Sequence, residues 1–123
     1  MRDSGKKKSK GISISKLKKK ADNVFSKWIR ERDKRCFTCG SISNLQNGHY
    51  VSRAINILRY DERNCNAQCV KCNIFNSGAM DTYALRLLSR HGKNILNDLA
   101  KDKQKLKSWT RQELEEIITK YKT

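Results

Sequence analysis

The chain has 123 residues and a formal net charge of +16, with 28 Lys and Arg residues against 12 Asp and Glu residues. This length predicts one domain with a modest hydrophobic core. The charge predicts a polyanionic partner, because a protein that neutralises phosphates releases their counterions; an anionic membrane surface is the weaker alternative. No run of about 18 apolar residues is present and the N-terminus lacks the apolar core of a secretory signal, so we expect a cytoplasmic protein that does not span a membrane.

The N-terminal segment is the most basic part of the chain. Residues 1–20 contain nine Lys or Arg residues and one Asp, which amounts to half of the net charge. We predict that residues 1–14 form a disordered arm and that residues 15–123 form a single domain. The arm is expected to contact DNA, and a solubilising or nuclear-localisation-like tail is the alternative. The lysines that we assign to DNA contact in this part of the chain are Lys6, Lys7, Lys8, Lys18, Lys19 and Lys20.

A helical pattern and then an extended one follow the arm. Apolar residues recur at helical spacing from residue 15 to about residue 34, with Ser13 or Ser15 as candidate caps. Between residues 40 and 66, glycines, serines and asparagines break this periodicity, and the apolar residues there suggest two short strands joined by a loop. These apolar residues are Leu45, Tyr50, Val51, Ile55, Ile57, Leu58 and Tyr60.

The C-terminal half is predicted to be mainly helical. Residues 64–72 are expected to lead into a short helix. Apolar stripes predict a helix from Met80 to Gly92 and another from Ile95 onward, and a Thr-x-x-Glu capping box at residues 110–113 predicts the start of the last helix. The expected fold class is therefore α+β, mostly helical.

Two CxxC pairs carry the strongest chemical signal. Cys36 and Cys39 form the first pair, Cys69 and Cys72 form the second, and 29 residues separate Cys39 from Cys69. Four thiolates in two such pairs suit the tetrahedral coordination of Zn²⁺, and a closed set of four Cys ligands leaves no open position for catalysis. We therefore predict one structural zinc ion in each chain. Cys65, the fifth cysteine, is expected to be a small buried hydrophobe.

The segment between the two pairs contains one of only two histidines, His49, and several asparagines. Phosphodiester hydrolysis needs a base that activates water and a cation that offsets charge on the transition state. A neutral imidazole serves as the base near pH 7, and a hard cation such as Mg²⁺ accepts Asn carbonyl oxygens as ligands. His91 lies at a predicted helix C-terminus, where a structural interpretation is favoured. From these residues alone, a nuclease and a zinc-dependent DNA-binding module both stay open.

The order of these motifs resembles that of zinc-bearing HNH, or His-Me finger, endonucleases: a CxxC pair, a Gly-His, an Asn five residues before the second pair, and an Asn directly after it. More narrowly, the chain from about Ala21 to Gly92 resembles the NinG/Rap family of lambdoid phages. The resembling segments are FSKWIRERD (25–33), residues 36–40, NGHY (47–50), LRYDERN (58–64), QCVKCN (68–73), residues 77–78 and the helix that follows Trp109.

This resemblance implies a structure-specific DNA endonuclease that cleaves branched recombination intermediates, such as Holliday junctions and D-loops, by metal-dependent phosphodiester hydrolysis. It implies a ββα-metal core within residues 36–78, in which His49 is the general base, Asn64 braces the loop that holds His49, and Asn73 ligates a catalytic Mg²⁺ or Mn²⁺. Phage endonuclease VII, a junction resolvase, is similar in its four-Cys zinc site and its final Asn. As a phage protein, the chain is expected to act in the cytoplasm of the bacterial host.

One position departs from the pattern of this group. Many HNH enzymes place an Asp that ligates the metal directly before the His, and Gly48 stands there in this chain. The nearest candidates for the missing ligand are Asn47, Asp61 and Glu62, and a partner subunit is a further alternative. The other residues assigned to DNA contact are Arg53 and Lys71.

A homodimer is the expected assembly. A four-way junction is two-fold symmetric, so paired incisions need two active sites, and a second copy of the chain is the simplest source. The apolar faces of the helices around residues 15–34 and 80–121 are the candidate interface. Two alternatives to the junction endonuclease stay open: a less selective HNH nicking nuclease and a non-catalytic zinc DNA-binding module.

Overall fold

The first element is a 20-residue helix, α1 (Ile14–Asp33), in this computed structural model, which describes residues 11–123. The hydroxyl of Ser13 accepts a hydrogen bond from the backbone N–H of Lys16 at 3.1 Å, so Ser13 is the N-cap. At the other end, Lys34 adopts a left-handed conformation (φ 64°) and its N–H donates to the carbonyl of Arg30. The predicted helix is confirmed, with each end shifted by about one residue.

The predicted boundary of the N-terminal arm at residue 14 is wrong. Ile14 is the first residue of α1, Ser13 caps it, and Ile12 packs against a buried cluster. The carbonyl of Ile12 also accepts a hydrogen bond from Arg111 Nη2 at 2.7 Å. Because these contacts fix the backbone, the folded domain begins no later than Ile12. The rest of the predicted arm, residues 1–10, lies outside the described residues.

The described residues form one antiparallel pair of strands, β1 (Leu45–His49) and β2 (Cys65–Cys69). The prediction of a second strand within residues 50–60 is wrong, because this segment is a loop with a short 3₁₀ helix (Asn56–Leu58). Four of its apolar side chains pack into a core with two later helices: Tyr50, Val51, Ile57 and Leu58.

β2 occupies residues that the sequence predicts to lead into a short helix. That helix is present at Lys71–Phe75, and the strand before it was not predicted. All five residues of β2 are buried, although two of them are amides. The side chain of Asn66 accepts a hydrogen bond from Arg32 Nη2 at 3.1 Å and donates one to the Tyr83 hydroxyl at 3.2 Å. Gln68 donates to the carbonyl of Gly78 at 2.8 Å. Tertiary hydrogen bonds satisfy the Asn66 amide and the Nε2 donor group of Gln68, whereas Gln68 Oε1 is buried without a partner among the described residues. These long-range bonds allow a polar segment to form an interior strand.

The rest of the chain is helical, as predicted. The elements after β2 are a π-helix (Lys71–Phe75), α2 (Met80–His91), α3 (Ile95–Asp102) and α4 (Arg111–Tyr121). The capping box of α4 is present, since the Thr110 hydroxyl accepts from the N–H of Glu113 and the Glu113 carboxylate accepts from the N–H of Thr110. The expected class, α+β and mostly helical, is confirmed. No helix within residues 11–123 is both long and apolar enough to cross a membrane.

Two buried clusters hold these elements together. The first lies between α1 and α4, where the Phe25 ring packs edge-on against Tyr60 and Tyr121, at 5.6 and 4.7 Å between ring centroids. The second joins α2, α3 and the 3₁₀ helix around Leu58 and Tyr83. The buried apolar faces of these helices are thus covered within the chain, while Ile14, Met80 and Leu85 stay exposed, and the dimer interface on these helices stays a prediction.

Gly48 lies where β1 has no room for a side chain. A Cβ at this position would meet Oε1 of Gln68 at 2.0 Å, and Gln68 is fully buried and bonded to Gly78, so it cannot swing into solvent. We expect Gly48→Ala to lower the free energy of unfolding by about 1–3 kcal/mol, because overpacking displaces buried neighbours. Chemical denaturation measures this change. Gly11→Ala, whose Cβ would meet no atom within 4 Å, is the matched control, and equal stability of the two variants would contradict the prediction.

Candidate active site and metal centre

The four cysteines of the two CxxC pairs converge at one point. Their Sγ atoms all lie within 4.8 Å of one another, and those of Cys39 and Cys69 are 3.6 Å apart. The first pair precedes β1, Cys69 ends β2, and Cys72 lies in the π-helix. This cysteine cluster could hold a metal ion such as zinc, whose structural sites use four tetrahedral ligands.

Local backbone geometry shapes the first pair. The N–H of Gly40 donates to the carbonyl of Cys36 at 2.9 Å, and Gly40 has a φ of +83°, a left-handed conformation that glycine adopts without strain. The N–H of Cys39 donates to Cys36 Sγ at 3.4 Å, and Thr38 Oγ1 lies 3.3 Å from the same sulfur. Burial raises the pKa of Cys36, but hydrogen bonds from Thr38 and from backbone N–H groups outweigh burial and lower the pKa to about 6. The thiolate that results is the form that binds a metal.

We expect Cys72→Ser to reduce the bound zinc from about one ion per chain to nearly none, because a structural site needs all four ligands. The melting temperature should fall by roughly 10 °C, which corresponds to about 3 kcal/mol in a domain of this size. Elemental analysis and calorimetry measure the two effects. Cys65→Ala is the control, because Cys65 is fully buried in the α1–α4 cluster and lies outside the set of four. Zinc at the wild-type level in Cys72→Ser would refute the site.

A cleft of about 360 Å³ opens beside the sheet. β1 contributes Asn47 and His49 to its lining, and these residues share one face of the strand because they are two positions apart. The π-helix contributes Asn73, and α1 contributes Asp22 and Asn23. Three polar residues selected from the sequence, Asn47, His49 and Asn73, therefore line the same cleft.

The backbone fixes one ring nitrogen of His49. Nε2 lies 3.0 Å from the carbonyl oxygen of Arg59, and a carbonyl only accepts hydrogen bonds, so this contact assigns the ring hydrogen to Nε2 and leaves the lone pair on Nδ1. Burial lowers the pKa of His49 below 6.5, and the charges of Arg53 and Arg59 add to this effect, which outweighs the hydrogen bond to the Arg59 carbonyl. The imidazole is therefore neutral at pH 7.

The carbonyl that holds His49 belongs to a residue that is itself anchored. The guanidinium of Arg59 donates through Nε and Nη2 to the two carboxylate oxygens of Asp22 on α1, with an Nε–Oδ1 distance of 2.8 Å. The Tyr60 hydroxyl donates to the same carboxylate at 2.9 Å. The Arg59 and Asp22 side chains are only 12% and 18% exposed. Asp22 thus holds Arg59, and the carbonyl of Arg59 orients His49.

Two asparagines of the cleft have side-chain oxygens without partners. Asn73 Nδ2 donates to Gln46 Oε1 at 2.9 Å, which fixes the amide, and its Oδ1 accepts no hydrogen bond from any described residue. Oδ1 of Asn47 is buried and likewise lacks a partner among the described residues. A buried amide oxygen in this state is uncommon in folded proteins, so Asn47 is available for a donor or a cation that enters the cleft.

Asn64 is fully buried and is not part of the cleft lining. Its side chain accepts a hydrogen bond from the N–H of Val51 at 2.7 Å and donates to the carbonyls of Val51 and Leu58 at 3.0 and 3.2 Å. The amide therefore ties together two points of the loop that follows His49. These hydrogen bonds are consistent with the predicted role of Asn64 in holding the loop that follows His49. The effect of Asn64 on catalysis stays a prediction.

Asp61 and Glu62, the other two candidates for the missing metal ligand, do not line the cleft. The Asp61 carboxylate accepts hydrogen bonds from Arg63 at 2.7 and 2.9 Å, and Glu62 accepts one from the Tyr121 hydroxyl at 2.7 Å. The structure does not bring either carboxylate into the cleft with Asn73.

Basic residues border the cleft on one side. A cavity of about 400 Å³ shares Asp22, Arg53 and Arg59 with the cleft and adds Lys18 and Lys19 to the lining. Three of the residues assigned to DNA contact therefore lie next to His49 and its neighbours. Of the remaining ones, Lys20 and Lys71 are exposed, and Lys6, Lys7 and Lys8 lie outside the described residues.

Six lining residues of the cleft were not selected as site residues from the sequence. They are Asp22, Asn23, Phe25, Ser26, Arg59 and Tyr60. Asp22 does carry a signal, because it is the only acidic residue among residues 14–30 of a lysine-rich helix. A lone carboxylate in such a basic helix is expected to form an ion pair with a specific Lys or Arg side chain.

Comparison with known proteins identifies relatives of this chain. A family model described as "Bacteriophage Lambda NinG protein" matches residues 2–123. Similar curated sequences are the proteins ninG of Salmonella phage P22, Escherichia phage 933W and Escherichia phage lambda, which are 36%, 35% and 34% identical over 108 residues. Each alignment covers 84% of this chain and 52–53% of the relative, so the chain spans about half the length of the curated relatives it matches. No solved structure matches the chain.

Proposed function

This chain belongs to the NinG family of bacteriophage proteins, and we propose that it is a metal-dependent DNA endonuclease that cleaves branched recombination intermediates such as Holliday junctions and D-loops. The presence of His49, Asn47 and Asn73 in one cleft is the observation that carries the proposal. The net charge of +16 and the basic cavity beside the cleft support DNA as the substrate.

His49 serves as the general base in this proposal. Its ring is neutral near pH 7 and its Nδ1 carries the lone pair, so it can take a proton from an attacking water. The hydrogen bond from Nε2 to the Arg59 carbonyl holds the ring and favours the imidazolium that forms, because a carbonyl stabilises a charged donor. Asp22 keeps that carbonyl in place through its pair with Arg59.

Asn47 and Asn73 are the proposed ligands of a catalytic Mg²⁺ or Mn²⁺. The buried, unpartnered oxygen of Asn47 and the free oxygen of Asn73 are hard donors of the kind that these cations accept. When bound, the cation would offset charge on the phosphate and on the leaving oxygen. Other ligands would come from water and from the phosphate itself, as is usual for Mg²⁺.

The order of the elements supports an HNH-type ββα-metal core. β1 carries His49, β2 follows, and the π-helix carries Asn73. We keep a homodimer in the proposal, because paired incisions in a two-fold symmetric junction need two sites. Its interface would lie outside the buried faces of the helices.

We expect His49→Ala to slow cleavage of a labelled four-way junction by about 10²–10⁴-fold, because general-base catalysis contributes this much. His91→Ala is the matched control, since His91 is exposed at the end of α2 and does not line the cleft. Initial rates with Mg²⁺ or Mn²⁺, at equal zinc content, are the measurement.

The wild-type protein separates the alternative functions. If wild-type protein binds the junction and cuts nothing, the chain is a binding module. Equal cleavage of linear duplex, flap and junction would indicate a less selective nuclease.

The pH profile gives an independent test of the base. Because His49 must be neutral to accept a proton, kcat/KM should fall tenfold per unit of pH below its pKa and level off above it. The lowered pKa of His49 places the midpoint of this limb below 6.5. Arg53→Gln removes a charge that lowers this pKa, so the midpoint should move up. A midpoint above 6.5 in the wild type would argue against His49 as the base.

A further inference from the structure

We propose that a second cavity, the arginine pocket, binds the DNA backbone at a distance from the scissile phosphate. The arginine pocket has a volume of about 340 Å³ and lies beside Cys36. The residues that carry the argument are Arg35, Arg86, Arg90, Phe37 and Asp33. The inference rests on the DNA binding in the proposed function, but it does not depend on cleavage.

The pocket carries positive charge that the protein does not neutralise. Its one carboxylate, Asp33, is only 6% exposed and is satisfied by other groups: it accepts hydrogen bonds from Arg32 at 2.6 and 3.0 Å and from the N–H of Ala67 at 2.8 Å. Arg90 approaches it only to 4.0 Å. Arg35 and Arg86 are exposed and make no ion pair with any described residue. Guanidinium groups that are free of carboxylates suit the oxygens of a phosphate.

One of the three arginines is already oriented by an aromatic ring. The guanidinium carbon of Arg90 lies 4.8 Å from the centroid of Phe37, and Arg90 Nη1 also lies 3.4 Å from Asn66 Oδ1. Such contacts lower the conformational entropy cost of phosphate binding, because the arginine side chain is already partly ordered. The arginine pocket is therefore partly organised before a ligand enters it.

α1 fixes the spacing between the arginine pocket and the cleft. Asp22 lines the cleft and Asp33 lines the arginine pocket, and they are 11 residues apart on one helix. At 1.5 Å per residue this is about 16 Å, and 11 residues make about three full turns, so both positions share a face of α1. Because phosphates of one strand repeat every ~3.4 Å along a duplex, this spacing matches about five nucleotides. The second phosphate can belong to the duplex being cut or to another arm of a branched substrate.

The double variant Arg35→Ala/Arg86→Ala tests the arginine pocket through binding without added Mg²⁺ or Mn²⁺. We expect the slope of log K against log salt for a four-way junction to decrease by about 1.8, because each lost phosphate contact removes about 0.9. The charge-matched control is Lys101→Ala/Lys103→Ala, at two exposed positions near the end of α3, where the slope should change by less than about 0.5. Arg35→Lys/Arg86→Lys keeps the charge and should restore most of the slope.

The same salt-dependence measurement with a linear duplex shows which DNA segment supplies the phosphates. An equal loss of slope on duplex and junction places the contact on the DNA segment being cut, and a loss confined to the junction places it on a second arm; both support the site. Equal slopes for the arginine and lysine double variants on both DNAs would overturn it, provided that melting temperatures match the wild type. Because only binding is measured, this result is separate from the failure of wild-type protein to cleave DNA, which would overturn the proposed function alone.

Discussion

The cysteine cluster is the constraint on which the candidate site depends. It ties together three segments: the turn after α1, the end of β2 and the π-helix. His49 lies at the end of β1, and Asn73 lies in the π-helix. The distance between these two side chains therefore depends on the angle between β2 and the π-helix, which meet at Cys69 and Cys72. The Asn73–Gln46 hydrogen bond is a single partly exposed contact and contributes only about 1 kcal/mol. A metal bound to four thiolates holds the same junction far more strongly, because its binding energy is folding energy.

A second constraint operates from the opposite wall of the cleft. The Asp22–Arg59 pair is largely removed from water, and two charges in that environment are costly unless their geometry is good. Here the geometry is bidentate and the Tyr60 hydroxyl adds a third hydrogen bond, so the pair is well satisfied. The net contribution of such a buried pair to stability is small. The pair nevertheless fixes the backbone at Arg59, whose carbonyl accepts the hydrogen bond from Nε2 of His49. The pair is therefore better understood as a device for orientation than as a source of stability.

The features that the sequence predicted are those with local causes. α1 and the three C-terminal helices follow from apolar periodicity and from the capping residues Ser13 and Thr110, and the cysteine cluster follows from CxxC spacing. The strand β2 was not predicted because its interior character comes from partners distant in the chain, such as Arg32 and Tyr83, which satisfy Asn66. Asp22 was not chosen as a candidate site residue for the same reason: only the folded chain brings it to Arg59, which is 37 residues away in the sequence. Residues that act through long-range hydrogen bonds leave no periodic signal.

α1 connects these observations, because three cavities each include a residue of this helix: Asp22 in the cleft, Lys18 in the adjoining cavity and Asp33 in the arginine pocket. The apolar stripe of α1 packs against α4, and the polar side chains of α1 are thereby directed toward the sheet, the loop and solvent. The position of the basic groups of α1 relative to His49 then depends on how α1 lies against α4. Packing of the core therefore also sets the geometry of the cleft, since a shift of α1 by one helical turn would move its residues by about 5 Å and separate Asp22 from Arg59.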